Sequence, residues 1–66
     1  MKVVEYGYVI KKKNEEAYHV LRDEVTNELP YAEVYENEDS AQYDLEECRD
    51  INEWEVRKIE VTYSLI

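Results

Sequence analysis

The chain has 66 residues, of which 17 are acidic and 8 are basic, so its formal net charge at pH 7 is −9. A chain of this length has room for one domain with a small core, because it buries only about 60% of the surface that its unfolded form exposes. Its acidity argues against direct binding to nucleic acid or anionic lipid, both of which attract Lys and Arg. If the protein has a partner, that partner is expected to be basic.

Cysteine and histidine each occur once in the sequence, as Cys48 and His19. A single cysteine cannot form an internal disulfide, and the pair cannot build a zinc site alone. Without these supports, a small domain relies on tight packing or on self-association, so we expect a weak homodimer. The unpaired cysteine, the missing leader pattern and the missing apolar run of roughly 20 residues predict a cytoplasmic protein that does not bind membranes.

The first half of the chain predicts a hairpin followed by a loop and a third strand. Residues 3–12 alternate as a half-buried strand does, with Val4, Tyr6, Tyr8 and Ile10 on one face and Glu5, Gly7, Val9 and Lys11 on the other. Gly7 marks a bulge or a close backbone contact. Residues 17–22 form the second strand, whose buried face stays open between Tyr18/Val20 and His19/Leu21. The loop covers residues 23–30, and the third strand covers residues 31–35.

A helix is predicted from the N-cap Asn37 to about Arg49, with acidic residues in its first turn. Its narrow apolar stripe consists of Ala41, Leu45 and Cys48,. On the opposite side, the same period collects one tyrosine and four carboxylates: Asp39, Tyr43, Glu46, Glu47 and Asp50. The stretch 33–55 contains ten acidic residues and one base, Arg49. Its net charge of −9 equals the net charge of the whole chain.

The last strand is predicted for residues 54–63, with a change of phase at Arg57-Lys58 that suggests a β-bulge,. The fold class is therefore α+β, in the order β-β-β-α-β: a small mixed or antiparallel sheet of about four strands with one helix on one face. The simplest topology places the last strand parallel to the first, through a right-handed crossover. The predicted core consists of Leu45, Ala41, Cys48, Ile10, Tyr8, Val34, Val56 and Trp54.

Three short sequence segments resemble a group of known proteins, at the level of the fold. They are Tyr8-Val9-Ile10-Lys11, Ala32-Glu33-Val34-Tyr35-Glu36-Asn37 before an acidic helix, and Trp54-Glu55-Val56. With this element order, the chain resembles small acidic accessory proteins encoded by phages and prophages of Gram-positive bacteria. Some small acidic phage proteins block host defence or host enzymes by occupying nucleic-acid-binding surfaces. The resemblance implies a context and assigns no residue a role.

Enzymatic and metal-binding functions lack the residues that they require. No nucleophile or acid stands beside His19 in a recognisable motif, and Cys48 on the apolar stripe is expected to act as a small hydrophobe. The acidic residues lack the glycine pattern of an EF-hand, so no metal and no cofactor is predicted. The basic run Lys11-Lys12-Lys13 is expected to be a solvated turn.

Two function hypotheses follow, and the sequence leaves both open. In the first, the protein is a non-enzymatic binding module or inhibitor, and its acidic helix face contacts a basic host or phage protein. In the second, it is a structural or accessory protein that self-associates through an uncovered aromatic sheet face formed by Val9, Tyr31 and Tyr35. Salt separates the two, because charge-steered binding weakens with ionic strength and an apolar contact does not.

Overall fold

The computed structural model describes residues 2–20 and 24–64, which form four strands and one α-helix. The strands are β1 (Lys2–Lys12), β2 (Tyr18–His19), β3 (Val25–Thr26) and β4 (Trp54–Ser64). A 3₁₀ helix covers Leu29–Tyr31, and α1 covers Glu38–Cys48. The predicted α+β class and the single helix are confirmed. Within the described residues, no helix is long and apolar enough to cross a membrane.

The sheet has the strand order β3-β2-β1-β4, and every neighbouring pair is antiparallel. The prediction that the last strand runs parallel to the first is therefore wrong. The reason lies in the segment before the helix, where Tyr35 forms an antiparallel bridge with Tyr8 of β1. The chain then passes through α1 to β4, on the other edge of β1. The helix thus connects two segments that are parallel to each other, but both are antiparallel to β1 between them.

The middle of the chain differs from its prediction. The second strand contains only Tyr18–His19, and the predicted positions Leu21 and Arg22 lie outside the described residues. The third strand is Val25–Thr26, inside the predicted loop, because these β-branched residues pair with β2,. Residues 31–35 are not a strand. Pro30 lies in the first turn of the 3₁₀ helix, where a backbone N–H group would have no partner within the helix, so its absence costs no hydrogen bond,.

The core lies between α1 and the sheet, around Ile10, Leu45 and Trp54. Ala41 is also buried, so these four predicted core residues are confirmed. Tyr8 and Val56 are half-buried. The prediction is wrong for Val34, which is 46% exposed, and for Cys48, which is exposed in the last turn of a helix whose burial centres on Ala41 and Leu45. Gly7, Val9 and Ala32 are buried as well, although none of them belongs to the predicted core. In the second strand, whose buried face was left open, His19 is 2% exposed, whereas Tyr18 and Val20 are half-buried.

Strand β4 contains no bulge, because its register with β1 is continuous from Lys2 opposite Ser64 to Lys12 opposite Trp54. The change of phase in the sequence has a different cause. Trp54 lies on the face that α1 covers, whereas Ile59 lies on the other face. There, Val34 approaches β1 so closely that a Cβ atom on Gly7 would lie 2.6 Å from the Val34 Cγ1. Strand β4 is therefore regular, but its apolar residues lie on the helix-covered face near Trp54 and on the opposite face from Ile59 onward.

Candidate protein-binding face

The acidic helix has a well-defined beginning and end. The side-chain oxygen of Asn37 accepts a hydrogen bond of 2.8 Å from the backbone N–H of Ser40, which confirms the predicted N-cap,. Glu38 and Asp39 occupy the first turn, where negative charge is favoured by the helix dipole,. At the other end, the backbone N–H of Arg49 donates to the carbonyl of Leu45. These contacts fix the ends of α1, so its outer face is presented on a rigid element.

One carboxylate of α1 is turned toward the sheet and does not belong to the outer face. The hydroxyl of Tyr35 donates to Asp44 Oδ2 over 2.8 Å. Burial raises the pKa of Tyr35 well above its ordinary value, and the hydrogen bond to Asp44 and the negative charges nearby raise it further,. This contact joins the helix to the segment that bridges β1.

Arg49, the one base in the stretch 33–55, is used inside the fold. Its Nε atom donates to His19 Nδ1 over 3.2 Å, and its Nη2 atom donates to the carbonyl of Glu24 over 2.8 Å. The guanidinium also lies 4.8 Å from the centre of the Trp54 ring,. His19 is 2% exposed, so both its burial and this contact give it a structural place. Arg49 therefore connects the end of α1 to the sheet.

The outer helix face consists of Asp39, Tyr43, Glu46 and Glu47, all of which are exposed. Tyr43 is 65% exposed. Neither of the two ion pairs between described side chains, Lys12 with Glu15 and Arg57 with Glu55, includes a residue of this face. The outer helix face is therefore a strip of carboxylates around one tyrosine, with no basic residue of the described chain paired to it.

Asp50 differs from its prediction, because α1 ends at Cys48 and Arg49 is its C-cap. The Asp50 side chain is exposed, but its Oδ1 accepts a hydrogen bond of 2.8 Å from the backbone N–H of Asn52 in the turn before β4. Asp50 is therefore a turn residue beside the outer helix face and is not a member of it. The helical period was extended two residues beyond Cys48, whereas the backbone of Arg49 is already extended, with φ −136° and ψ 163°, and ends the helix.

The predicted aromatic patch for self-association is not assembled. Val9 is completely buried, and Tyr35 packs against the core, so neither is exposed on a sheet face. Tyr31 is 68% exposed. The cause is the segment before the helix, which covers part of the supposedly uncovered face. What remains there is a groove of about 360 Å³, whose lining includes Leu29, Pro30, Val34, Ile59 and Val61.

The remaining candidate groups lie apart from one another. The basic run that was predicted to be a solvated turn is only partly one, because Lys11 and Lys12 are the half-buried last residues of β1 and only Lys13 lies in the turn. Lys12 pairs with Glu15 over 3.6 Å, and Lys13 Nζ donates to the carbonyl of Ile51. Asn14 in this turn has a φ of 64°, a left-handed conformation that asparagine tolerates,. Among residues 2–20 and 24–64, no three His, Cys, Asp or Glu side chains lie together in a way that could hold a metal ion.

Comparison of the chain with protein-family models, with curated proteins and with solved structures found no match.

The raised pKa of Tyr35 predicts a specific alkaline instability. The unfolded chain ionises this hydroxyl near its ordinary pKa of about 10, whereas the folded chain keeps it neutral,. The stabilisation is thus fully present below pH 10 and decreases as the pH rises further. In urea unfolding, the stability advantage of wild type over Tyr35→Phe should be constant near neutrality and shrink above pH 10. An advantage that persists unchanged at strongly alkaline pH would contradict the burial of this hydroxyl.

Proposed function

We propose that the chain is a non-enzymatic binding module whose outer helix face contacts a basic surface of another protein, in the manner of an inhibitor. The observation that carries the proposal is the exposure of Tyr43 among carboxylates that no described basic residue neutralises. Single exposed aromatic residues are common on protein surfaces, and Tyr6 and Tyr31 of this chain are as exposed as Tyr43. Tyr43 differs from them in its place among the carboxylates of one helix face. Tyr43 supplies apolar area at the centre of a strip whose charge selects a basic partner.

The two kinds of residue have different roles in this proposal. Tyrosine is enriched among the residues that dominate binding energy, because its ring fills a desolvated pocket on the partner. Carboxylates around such a residue mainly set the association rate and the choice of partner. We therefore expect Tyr43 to govern dissociation, and Glu46 and Glu47 to govern association and its dependence on salt.

The partner surface that fits this strip best is one that otherwise binds nucleic acid. Carboxylates three or four residues apart on a helix are separated by roughly 5–6 Å, and each strand of DNA advances one phosphate per ~3.4 Å of axis. The strip thus agrees with a phosphate backbone in sign and approximate scale, although not position by position. The resemblance to phage accessory proteins supports a basic host or phage protein in the cytoplasm as the partner.

Affinity capture from the cells that produce the protein tests the proposal. Wild type should retain a basic protein at low salt and lose most of it at high salt, because exposed charges are screened. A variant with Tyr43→Ala, Glu46→Lys and Glu47→Lys should retain none. With the captured protein purified, Tyr43→Ala should speed dissociation, and the two reversals should slow association and flatten its salt dependence.

The chain offers a matched control for this variant. Tyr31 is 68% exposed, close to the 65% of Tyr43, and it lies outside the helix. A variant with Tyr31→Ala, Glu16→Lys and Glu28→Lys makes the same change of charge at exposed positions away from the outer helix face. It should capture the partner nearly as well as wild type. Equal capture by wild type and the helix variant would show that the outer helix face is not the binding site.

A further inference from the structure

Strand β4 forms one edge of the sheet and is as long as β1, with 11 residues. On its outer side, β4 has no neighbouring strand among the described residues. Tyr8 of β1 exchanges backbone hydrogen bonds of 2.9 and 2.8 Å with Tyr35, so the backbone N–H and C=O groups of Tyr8 point away from β4. In an antiparallel pair, the backbone N–H and C=O groups of two opposite residues point either toward each other or away from each other. Lys58, opposite Tyr8, therefore directs its N–H and C=O groups out of the sheet. Alternation gives the same direction to Val56, Glu60 and Thr62.

An edge of this length is a template for another strand, because each outward N–H and C=O group lacks a ladder partner. Among the described residues, no strand beyond β4 belongs to the sheet. Natural edges are commonly protected by charged side chains. Here the charges in the middle of the strand have opposite signs: Lys58 and Glu60 lie two residues apart on the same face. Such a pattern permits pairing with a copy of itself.

We propose that β4 pairs antiparallel with β4 of a second copy of this chain, about a two-fold axis that passes Ile59 perpendicular to the sheet. In this register all eleven residues of the strand have a partner, from Trp54 opposite Ser64 of the second copy onward. Lys58 lies opposite Glu60 of the second copy, and the symmetry repeats this ion pair. The outward backbone groups of the two strands then complete each other's ladder.

The charges select this register over its neighbours. A shift that places the axis at Lys58 puts the two copies of Lys58 opposite each other, and a shift to Glu60 does the same for that carboxylate. Like charges directly opposite each other destabilise an antiparallel pair. Registers shifted by an odd number of residues are excluded, because they would place each residue opposite one whose side chain points to the other face of the sheet. The register centred on Ile59 is therefore favoured by both length and charge.

The side chains on both faces fit this arrangement. The ammonium of Lys58 lies 4.7 Å from the centre of the Tyr6 ring, which holds it on one face of the sheet. On the other face, the two copies of Ile59 meet at the axis in the closer type of antiparallel pair. Ile59 and Val61 line the apolar groove, so pairing joins the grooves of both copies. A perpendicular axis also leaves both α1 helices on the same side of an eight-stranded sheet, four strands from each copy.

Charge exchange tests the proposal by sedimentation equilibrium across the micromolar range at physiological salt. Wild type should show a monomer–dimer equilibrium. Lys58→Glu and Glu60→Lys should each weaken it by at least ~5-fold, since either replaces both ion pairs with repulsive pairs. These two changes shift the net charge in opposite directions, so an effect of overall charge cannot explain a loss in both. The double variant, which exchanges the two charges, should dimerise like wild type.

Mixing supplies the sharper readout. The double variant should not form mixed dimers with wild type, because the mixed interface puts Lys opposite Lys and Glu opposite Glu. Glu16→Lys, on the turn between β1 and β2, matches the charge change of Glu60→Lys and should leave the dimer unchanged. Amide exchange at Val56, Lys58, Glu60 and Thr62 should slow as concentration rises. A strict monomer, free mixing, or single variants that dimerise like wild type would each overturn the proposal.

Discussion

Replacing Leu45 by alanine is expected to lower the free energy of unfolding by about 2–5 kcal/mol. Leu45 is 2% exposed and belongs to the central cluster with Ile10 and Trp54. Its loss removes apolar contact and leaves a cavity that the small core has few neighbours to fill. Domains are commonly stable by only about 5–15 kcal/mol, so the variant should lose a large part of its stability.

Urea unfolding measures this change, with thermal melting as a second readout. Tyr43→Ala is the matched control on the same helix, because its side chain lies on the outer helix face and its removal should alter stability by less than about 0.5 kcal/mol,. If Leu45→Ala melts within about two degrees of wild type, the buried face of α1 is assigned incorrectly.

Adding a single methyl group at Gly7 should destabilise the protein by about 1–3 kcal/mol. A Cβ atom there would lie 2.6 Å from Val34 Cγ1 and 3.4 Å from the carbonyl oxygen of Tyr35. The first distance is much shorter than the separation of about 3.5–4 Å that carbon atoms prefer. To relieve this clash, either the Val34 side chain rotates away or the segment that leads into the helix moves away from β1 and weakens the bridge between Tyr8 and Tyr35.

A double-mutant cycle distinguishes this clash from a general effect of alanine in a strand. Val34→Ala removes the clashing atom, and Val34 is half exposed, so this change alone should cost little. Gly7→Ala combined with Val34→Ala should therefore be more stable than the sum of the two single changes predicts. Simple additivity would show that Val34 does not lie over Gly7.

The elements that the sequence predicted well are those with a long local period. The first strand, the last strand and the helix each span 11 residues, which is enough for alternation or a 3.6-residue period to be recognised. The N-cap Asn37 and the buried Leu45 follow from the same local pattern. The two-residue strands β2 and β3 have no such period, because pairing with each other and with β1 determines them.

Contacts between distant residues explain the errors that involve whole faces. The second sheet face was predicted to be uncovered, but Val34 lies over Gly7 on that face, Tyr35 forms a bridge with Tyr8, and Val9 is completely buried. Gly7 was interpreted as a bulge or a close contact, and the structure confirms the close contact. The apparent bulge in β4 came from reading one strand as though it had one buried face, whereas two different segments cover its two faces.

The exposed residues of the outer helix face could be predicted from the sequence, whereas the contacts of Arg49 that join the end of α1 to the sheet could not. Helical periodicity was enough to collect Asp39, Tyr43, Glu46 and Glu47 on one side. The contacts of Arg49 with His19 and with the carbonyl of Glu24 join residues 30 and 25 positions apart, so no local pattern contains them. One signal was available in the sequence: Arg49 is the one base in a strongly acidic stretch.

Competition for the captured partner decides whether the outer helix face occupies a surface that binds nucleic acid. A labelled DNA duplex is bound to that protein, and its fluorescence anisotropy is followed as the chain is added at low salt. Wild type and the Tyr31→Ala, Glu16→Lys, Glu28→Lys control should displace the duplex with similar midpoints. The Tyr43→Ala, Glu46→Lys, Glu47→Lys variant should not displace it. Displacement by that variant at the wild-type midpoint, or a partner that binds the chain and the duplex at the same time, would show that the outer helix face does not occupy the nucleic-acid-binding surface.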